Sequence, residues 1–203
     1  MQFSKDEIRD IILAIAALVF ILMVKPLPYL GINLDVIPGY LLGISLGFIL
    51  HELAHKAMAN RLGAEAFFKL WPQGVLFGLL ISLVSPLKFL APGAVVVYGQ
   101  KFGRWKIRAD RIFTTPHGPA LSRGEMGLIS VAGPIVNIIL AFVFLSSGNA
   151  ILQQVAYINA FLAVFNLLPI PPLDGSKIML WNAVIWLFVI LIAAIPLIVL
   201  SFF

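Results

Sequence analysis

The sequence predicts an all-α polytopic membrane protein of about five to six transmembrane helices, with a re-entrant or short β element near its middle. Three observations carry this. The chain of 203 residues is 61% hydrophobic and only 11% charged, with a mean hydropathy of +1.04, against roughly 25% charged residues in an average soluble domain. A chain so poor in polar side chains cannot cover itself in water, so lipid must be part of its solvent. Its apolar residues also fall into runs close to the about 20 residues that a helical span needs. Finally, one apolar region, residues 72–98, is broken by Pro72, Pro86 and Pro92 and by several glycines. The expected spans use up the length, so residues 1–203 are read as one membrane-embedded domain with no room for an appended soluble one.

The elements follow in order. Residues 11–24 are read as a retained first span, because the charges before it (Lys5, Asp6, Glu7, Arg9, Asp10) are mixed, unlike the basic start of a secretory signal. Residues 37–60 form the second, closed by Lys56 and Arg61. Residues 65–71 and 95–98 are short strand candidates, although apolar runs this short do not separate strand from helix. Residues 100–125 are the long polar stretch, with Lys101, Arg104, Lys106, Arg108, Arg111 and Arg123. Residues 126–146 and 151–168 are two further spans joined by a turn at Ser147, Gly148 and Asn149. Prolines at 169, 171 and 172 then stop the helix, and residues 179–203 make the last span.

The net charge of +5 lies in the segments between apolar runs. Anionic lipid and the bias of cytosolic loops toward Lys and Arg account for it better than a nucleic-acid partner does. Cysteine is absent, so disulfides are excluded and any metal must be held by His, carboxylate or carbonyl ligands.

The chemistry centres on His51-Glu52-Leu53-Ala54-His55. Histidines four apart lie on one face of a helix, which suits two ligands of one tetrahedral zinc ion. Glu52 lies beside that face, where its carboxylate can take a proton from a water activated at the metal. A polar helix end does not explain the pattern. His51 follows a near-continuous apolar run from Ile37, and the ten residues from His51 to Arg61 rise about 15 Å along the helix. An ionisable group at that depth costs ~2.5–3.5 kcal/mol on insertion scales and needs a partner or a role. Zinc hydrolases commonly use three protein ligands. His117 sits in a polar loop, Thr115-Pro116-His117-Gly118-Pro119, where an exposed histidine is unremarkable. Asp174 lies in the proline-broken segment between two apolar spans, and irregular backbone at membrane depth is tolerated only against protein or a water cavity. Asp174 is therefore the expected third ligand, with a helix-capping role as its bland alternative.

Three motifs in this order, HELAH at 51–55, Gly133-Pro134-Ile135-Val136-Asn137, and the run from Asn166 through Pro169 to Asp174-Gly175, resemble the site-2 protease family of intramembrane zinc metalloproteases. The match covers about residues 37–178. The resemblance implies one zinc ion per chain held by His51, His55 and Asp174, with Glu52 as catalytic base. It implies hydrolysis of peptide bonds within or near transmembrane segments of membrane-protein substrates, as in regulated intramembrane proteolysis. It also suggests that Asn166 helps hold the substrate backbone or the tetrahedral intermediate. Gly133, Pro134 and Asn137 are expected to serve close helix packing near the site. Ser176 departs from the family, whose members often carry a second glycine there. A catalytically silent metal-binding homologue and a metal transporter are the alternatives. The first would lose a role residue, and all four are present; the second would spread ionisable residues over several spans.

Depth constrains topology. The second span returns to the side of the N-terminus, so Asp174 must lie toward that side too. This requires residues 72–98 to enter and leave on one side. The expectation is five full spans plus a re-entrant element, with the N-terminus and the site-proximal basic loops in the cytosol and the C-terminus opposite.

Overall fold

A computed structural model of the protein describes residues 3–32, 34–99 and 121–202. Its elements are α1 (Lys5–Met23), β1 (Val24–Lys25), β2 (Gly31–Ile32), α2 (Ile37–Arg61), β3 (Ala64–Leu70), α3 (Pro72–Val84), β4 (Gly93–Gly99), α4 (Arg123–Leu145), α5 (Ala150–Asn166), α6 (Asp174–Trp181) and α7 (Ala183–Phe202). Helix starts follow local chemistry. Ser4 caps α1 by accepting from the Glu7 amide, and Ser122 and Glu125 form a reciprocal capping box on α4. Asn149 and Asn182 each accept two amides at the starts of α5 and α7.

Three helices, α2, α4 and α7, are long and apolar enough to cross a membrane; α3 and α5 are apolar but shorter. The architecture is therefore mostly helical with two small sheets. The last helical segment corrects the sequence reading. Residues 179–203 are not one helix, because Asn182 takes an extended conformation and separates α6 from α7. On α7, Val184, Leu187, Phe188, Leu191, Ile195 and Ile198 are exposed, an apolar surface suited to lipid and not to water.

α2, α4 and α5 pack most closely on one another, with α6 and α7 against α4 and α5. An i+4 row on α2 makes this approach possible: Gly39, Gly43, Gly47, His51, His55 and Ala59. Such a row winds slowly around a helix. Its glycines meet α5 at Gln154, Val155 and Asn159, and from Gly47 onward it also meets α4. The missing side chains let backbones come close, as small residues do at helix contacts in lipid.

The 72–98 region resolves into a helix and a return. α3 runs from Pro72 to Val84, and its last turn meets the segment after α1 through the Leu27 amide, which donates to the Leu83 carbonyl at 2.8 Å. The chain then comes back in extended form to β4, and the Trp71 amide donates to the Pro92 carbonyl at 2.7 Å, so the two ends of the excursion meet. β3 and β4 pair antiparallel, Ala64 opposite Gly99 through Leu70 opposite Gly93. Both strand candidates are thus strands, the first shifted one position toward the N-terminus and the second longer at both ends than its sequence pattern.

α1 covers the outer edge of β3. The Phe68 amide donates to Glu7 Oε1 at 3.2 Å and the Leu70 amide to Asp10 Oδ2 at 3.1 Å. Two carboxylates, three positions apart on one helix, satisfy alternate amides that a further strand would otherwise take. Glu7 also accepts from the Lys56 ammonium at 2.6 and 2.8 Å, and both residues are buried. The ammonium lies over the Phe3 ring, 4.0 Å from its centre. Lys56 is therefore not a free flanking charge at the end of a span but half of a buried ion pair beside His55. Glu7→Ala leaves that ammonium buried without its counter-charge, at an expected cost of about 3–5 kcal/mol. Glu7→Met combined with Lys56→Met should recover most of it. Chemical denaturation in detergent measures both, and a Glu7→Ala protein as stable as the wild type would show that the pair does not anchor α1.

Candidate metal centre

His51 and His55 occupy successive turns of α2, and Asp174 is the first residue of α6, just beyond the proline-broken segment. The three side chains converge. His55 Nε2 lies 2.9 Å from His51 Nε2 and 3.0 Å from Asp174 Oδ2, and His51 Nε2 lies 3.3 Å from the same oxygen. All three residues are buried, and among the described residues they are the one such group of potential metal ligands.

The hydrogen bonds behind the rings decide what the converging atoms are. His55 Nδ1 faces the Ile129 carbonyl at 2.7 Å. A carbonyl only accepts, so Nδ1 carries the proton and Nε2 presents a lone pair. His51 Nδ1 faces Asn137 Oδ1 at 2.6 Å, which makes its Nε2 a lone-pair donor too. Two imidazole lone pairs and a carboxylate oxygen at one point repel each other unless a cation lies among them. Donor atoms bound tetrahedrally to one ion at ~2.0–2.1 Å are about 3.3 Å apart, and this triangle is close to that size. The set His, His, Asp with both rings backed by acceptors is a zinc donor set.

Glu52 follows His51 and is buried, and its Oε2 has no hydrogen-bond partner among the described residues. A buried carboxylate oxygen left unpaired is costly, and this one stands next to the donor cluster. Among the described residues it is not part of the metal-ligand group formed by His51, His55 and Asp174. Lys177 Nζ approaches Asp174 Oδ1 at 3.4 Å, the oxygen turned away from the histidines.

Gly133 and Asn137 come from α4 to the metal face of α2. A Cβ on Gly133 would sit 2.5 Å from His55 Nε2 and 2.6 Å from His51 Nε2, so only glycine leaves room for the two nitrogens. Pro134, buried inside α4, has no N–H to donate to the Ser130 carbonyl and so interrupts the helix ladder beside the His55 acceptor. Asn137 is fully buried, packs against α2 by donating to the Gly47 carbonyl at 3.1 Å, and also backs His51. Asn166 ends α5, with its amide donating to the Leu162 carbonyl at 3.0 Å. His117 lies outside the described residues. Sequence reasoning did not pick out the Ile129 carbonyl, Lys177 or Asn159. The last had a signal: an amide in the middle of an apolar helix.

The fold and site define a class, a helical membrane protein with an HExxH metal centre completed by an aspartate from a later helix. The chain belongs to peptidase family M50, the site-2 protease family, whose model matches residues 146–187. Three similar proteins bear the name "putative zinc metalloprotease". MJ0611 of Methanocaldococcus jannaschii is 35% identical over 194 residues, covering 91% of this chain and 89% of that protein. YwhC of Bacillus subtilis is 31% identical, covering 74% of this chain and 71% of its own length. Rip2 of Mycobacterium tuberculosis is 29% identical, covering 75% of this chain but only 58% of its own length. No solved structure matches the chain.

Gly133→Ala tests the cradle. The added methyl displaces the ring nitrogens, and the purified variant should hold less than a tenth of the zinc of the wild type while α4 remains helical. Zinc content by atomic spectroscopy beside circular dichroism measures this; full occupancy would mean that the rings have room to spare.

Proposed function

We propose that this protein is an intramembrane zinc metalloprotease that hydrolyses peptide bonds within or near transmembrane segments of membrane-protein substrates. Residues 1–203 act as one catalytic membrane domain. The observation that carries the reading is the convergence of Asp174 with His51 and His55, which share with Glu52 a helix apolar enough to span lipid. The names borne by the relatives agree with the zinc metalloprotease part of it.

Zinc bound at the three ligands supplies a Lewis acid that polarises a carbonyl and lowers the pKa of a water. The other tasks fall to the chain. Glu52 takes the proton from the attacking water and passes it to the leaving amine. Asn137 and the Ile129 carbonyl hold the two rings in the ligating tautomer. Asn166 is assigned to the substrate backbone or the tetrahedral intermediate.

A peptide bond inside a transmembrane helix is shielded by the helix, so the substrate must unwind locally. An exposed strand edge holds an extended segment by β-addition. Glu7 and Asp10 occupy the outer amides of β3 at Phe68 and Leu70. The pairing register turns the backbone groups of β4 at Val95 and Val97 away from β3, and that is the edge assigned to substrate.

In the membrane, α1, α2, α4, α5 and α7 are assigned as the spans and α3 with its return as a re-entrant element, entering and leaving at the Trp71–Pro92 contact. The N-terminus and the site-proximal loops face the cytosol, by the distribution of Lys and Arg.

Two experiments test this. Glu52→Gln is expected to abolish cleavage of single-span substrates by purified protein while zinc stays bound, because the glutamate is a base and not a ligand. His51→Ala, His55→Ala and Asp174→Ala should each lower zinc occupancy, and His117→Ala should not. A Glu52→Gln enzyme that keeps most of its activity would refute the mechanism. For topology, single cysteines in this cysteine-free chain at Tyr29 and Lys69 are exposed to an impermeant thiol reagent on intact cells. Labelling at position 29 alone is expected, and labelling at position 69 alone would reverse the orientation.

A further inference from the structure

Two ligands of the centre are oriented in different ways. His55 is backed by a peptide carbonyl, which can only accept. His51 is backed by an amide side chain, which has a carbonyl end and an NH2 end of nearly the same shape. Turned round, Asn137 would present its NH2 to His51 Nδ1. That nitrogen would then have to accept, the ring proton would move to Nε2, and the lone pair needed for the metal would be lost. Something must fix which end of Asn137 faces His51.

The groups at the other end of Asn137 do so. Its Nδ2 donates to the Gly47 carbonyl at 3.1 Å and to Asn159 Oδ1 at 3.0 Å. Asn159 is an amide as well, so its own orientation needs a cause. Its Nδ2 donates to the Val155 carbonyl at 2.8 Å and to the Gly43 carbonyl at 3.3 Å, and neither acceptor can reverse its role. Reversal would set its oxygen against two carbonyl oxygens. Both asparagines are fully buried, where no solvent compensates a wrong contact. The fit is close enough that a Cβ on Gly47 would collide with Asn159 Oδ1.

We propose that Asn159 is a positioning residue for the metal centre: through Asn137 it holds His51 with its proton on Nδ1 and its Nε2 lone pair toward His55 and Asp174. The role rests on the zinc reading above and adds to it a residue that lies outside the three motifs. An asparagine acting only as interhelical glue would affect stability but not the metal.

The test uses full-length protein in detergent and reads zinc affinity by chelator competition, beside thermal stability. Loss of an outer-shell partner commonly lowers metal affinity about 10–100-fold. Asn137→Leu is expected within that range and Asn159→Leu at about tenfold or more. The double variant should be no weaker than Asn137→Leu alone, because Asn159 acts through Asn137. Nitrogen NMR of labelled histidine in metal-free protein should show His51 protonated at Nδ1 in the wild type and a mixture of tautomers in the Asn159 variant. If Asn159→Leu does not accumulate, Asn159→Ala gives the same readouts. Unchanged affinity with lowered stability, losses that multiply in the double variant, or an unaltered tautomer would each overturn the proposal. A wild-type protein that binds no zinc would instead overturn the zinc reading itself. Zinc binding and cleavage by the wild type, with unaltered affinity in the Asn159 variants, would remove only the positioning role.

Discussion

Three lone-pair donors, two imidazole nitrogens and a carboxylate oxygen, must be held within about 3 Å of one another in the buried interior, and the geometry around α2 follows from that demand. Side chains on neighbouring helices ordinarily keep their axes ~8–10 Å apart and fill the space between. Here Gly133 on α4 leaves the space in which the ring nitrogens sit. The glycine row on α2 brings α5 close enough for the Asn159 amide to reach the Gly43 carbonyl of α2. Asp174 reaches the same point only because the helix before it stops at the prolines and α6 begins with the ligand itself.

A second set of contacts fixes the sheet against the helices. Ala64, Ala66 and Phe68 of β3 turn inward, with Phe68 edge-on to Phe48 of α2. The Glu7–Lys56 pair ties α1 to the turn of α2 that carries His55. Burying both charges is costly in itself, and removing one alone is costlier still. The pair therefore specifies where α1 sits more than it adds to net stability, and it does so one residue from a metal ligand.

Much of this was legible in the sequence, and the rest was hidden for identifiable reasons. The helix of the histidines, its ligands and the strand candidates could be read because helical spacing and proline breaks are local properties. His51, His55 and Asp174 stood out because ionisable side chains in apolar runs demand an explanation. The break at Asn182 was missed because an asparagine between apolar residues does not by itself announce a cap. The buried role of Lys56 was hidden since its partner lies 49 positions away, and a lysine at a span end reads as a flanking charge. The Ile129 carbonyl carries no sequence signal at all: every residue has one. Asn137 was read as packing, and its contact with His51 depends on which turn of α4 faces α2, which periodicity alone does not supply.

The length of α3 has a consequence for the surrounding bilayer. Its 13 residues rise only ~20 Å, against a hydrocarbon thickness of about 30 Å, yet Leu76, Phe77, Leu80 and Val84 form an exposed apolar flank. In the membrane placement proposed above, lipid beside that flank would shorten its chains to match it, a hydrophobic mismatch that thins the membrane locally. A transmembrane helix of ordinary length that drifts into the thinned zone either tilts or loses hydrocarbon cover at one end. The uncovered turn meets water, which competes for its backbone hydrogen bonds, and so frays first.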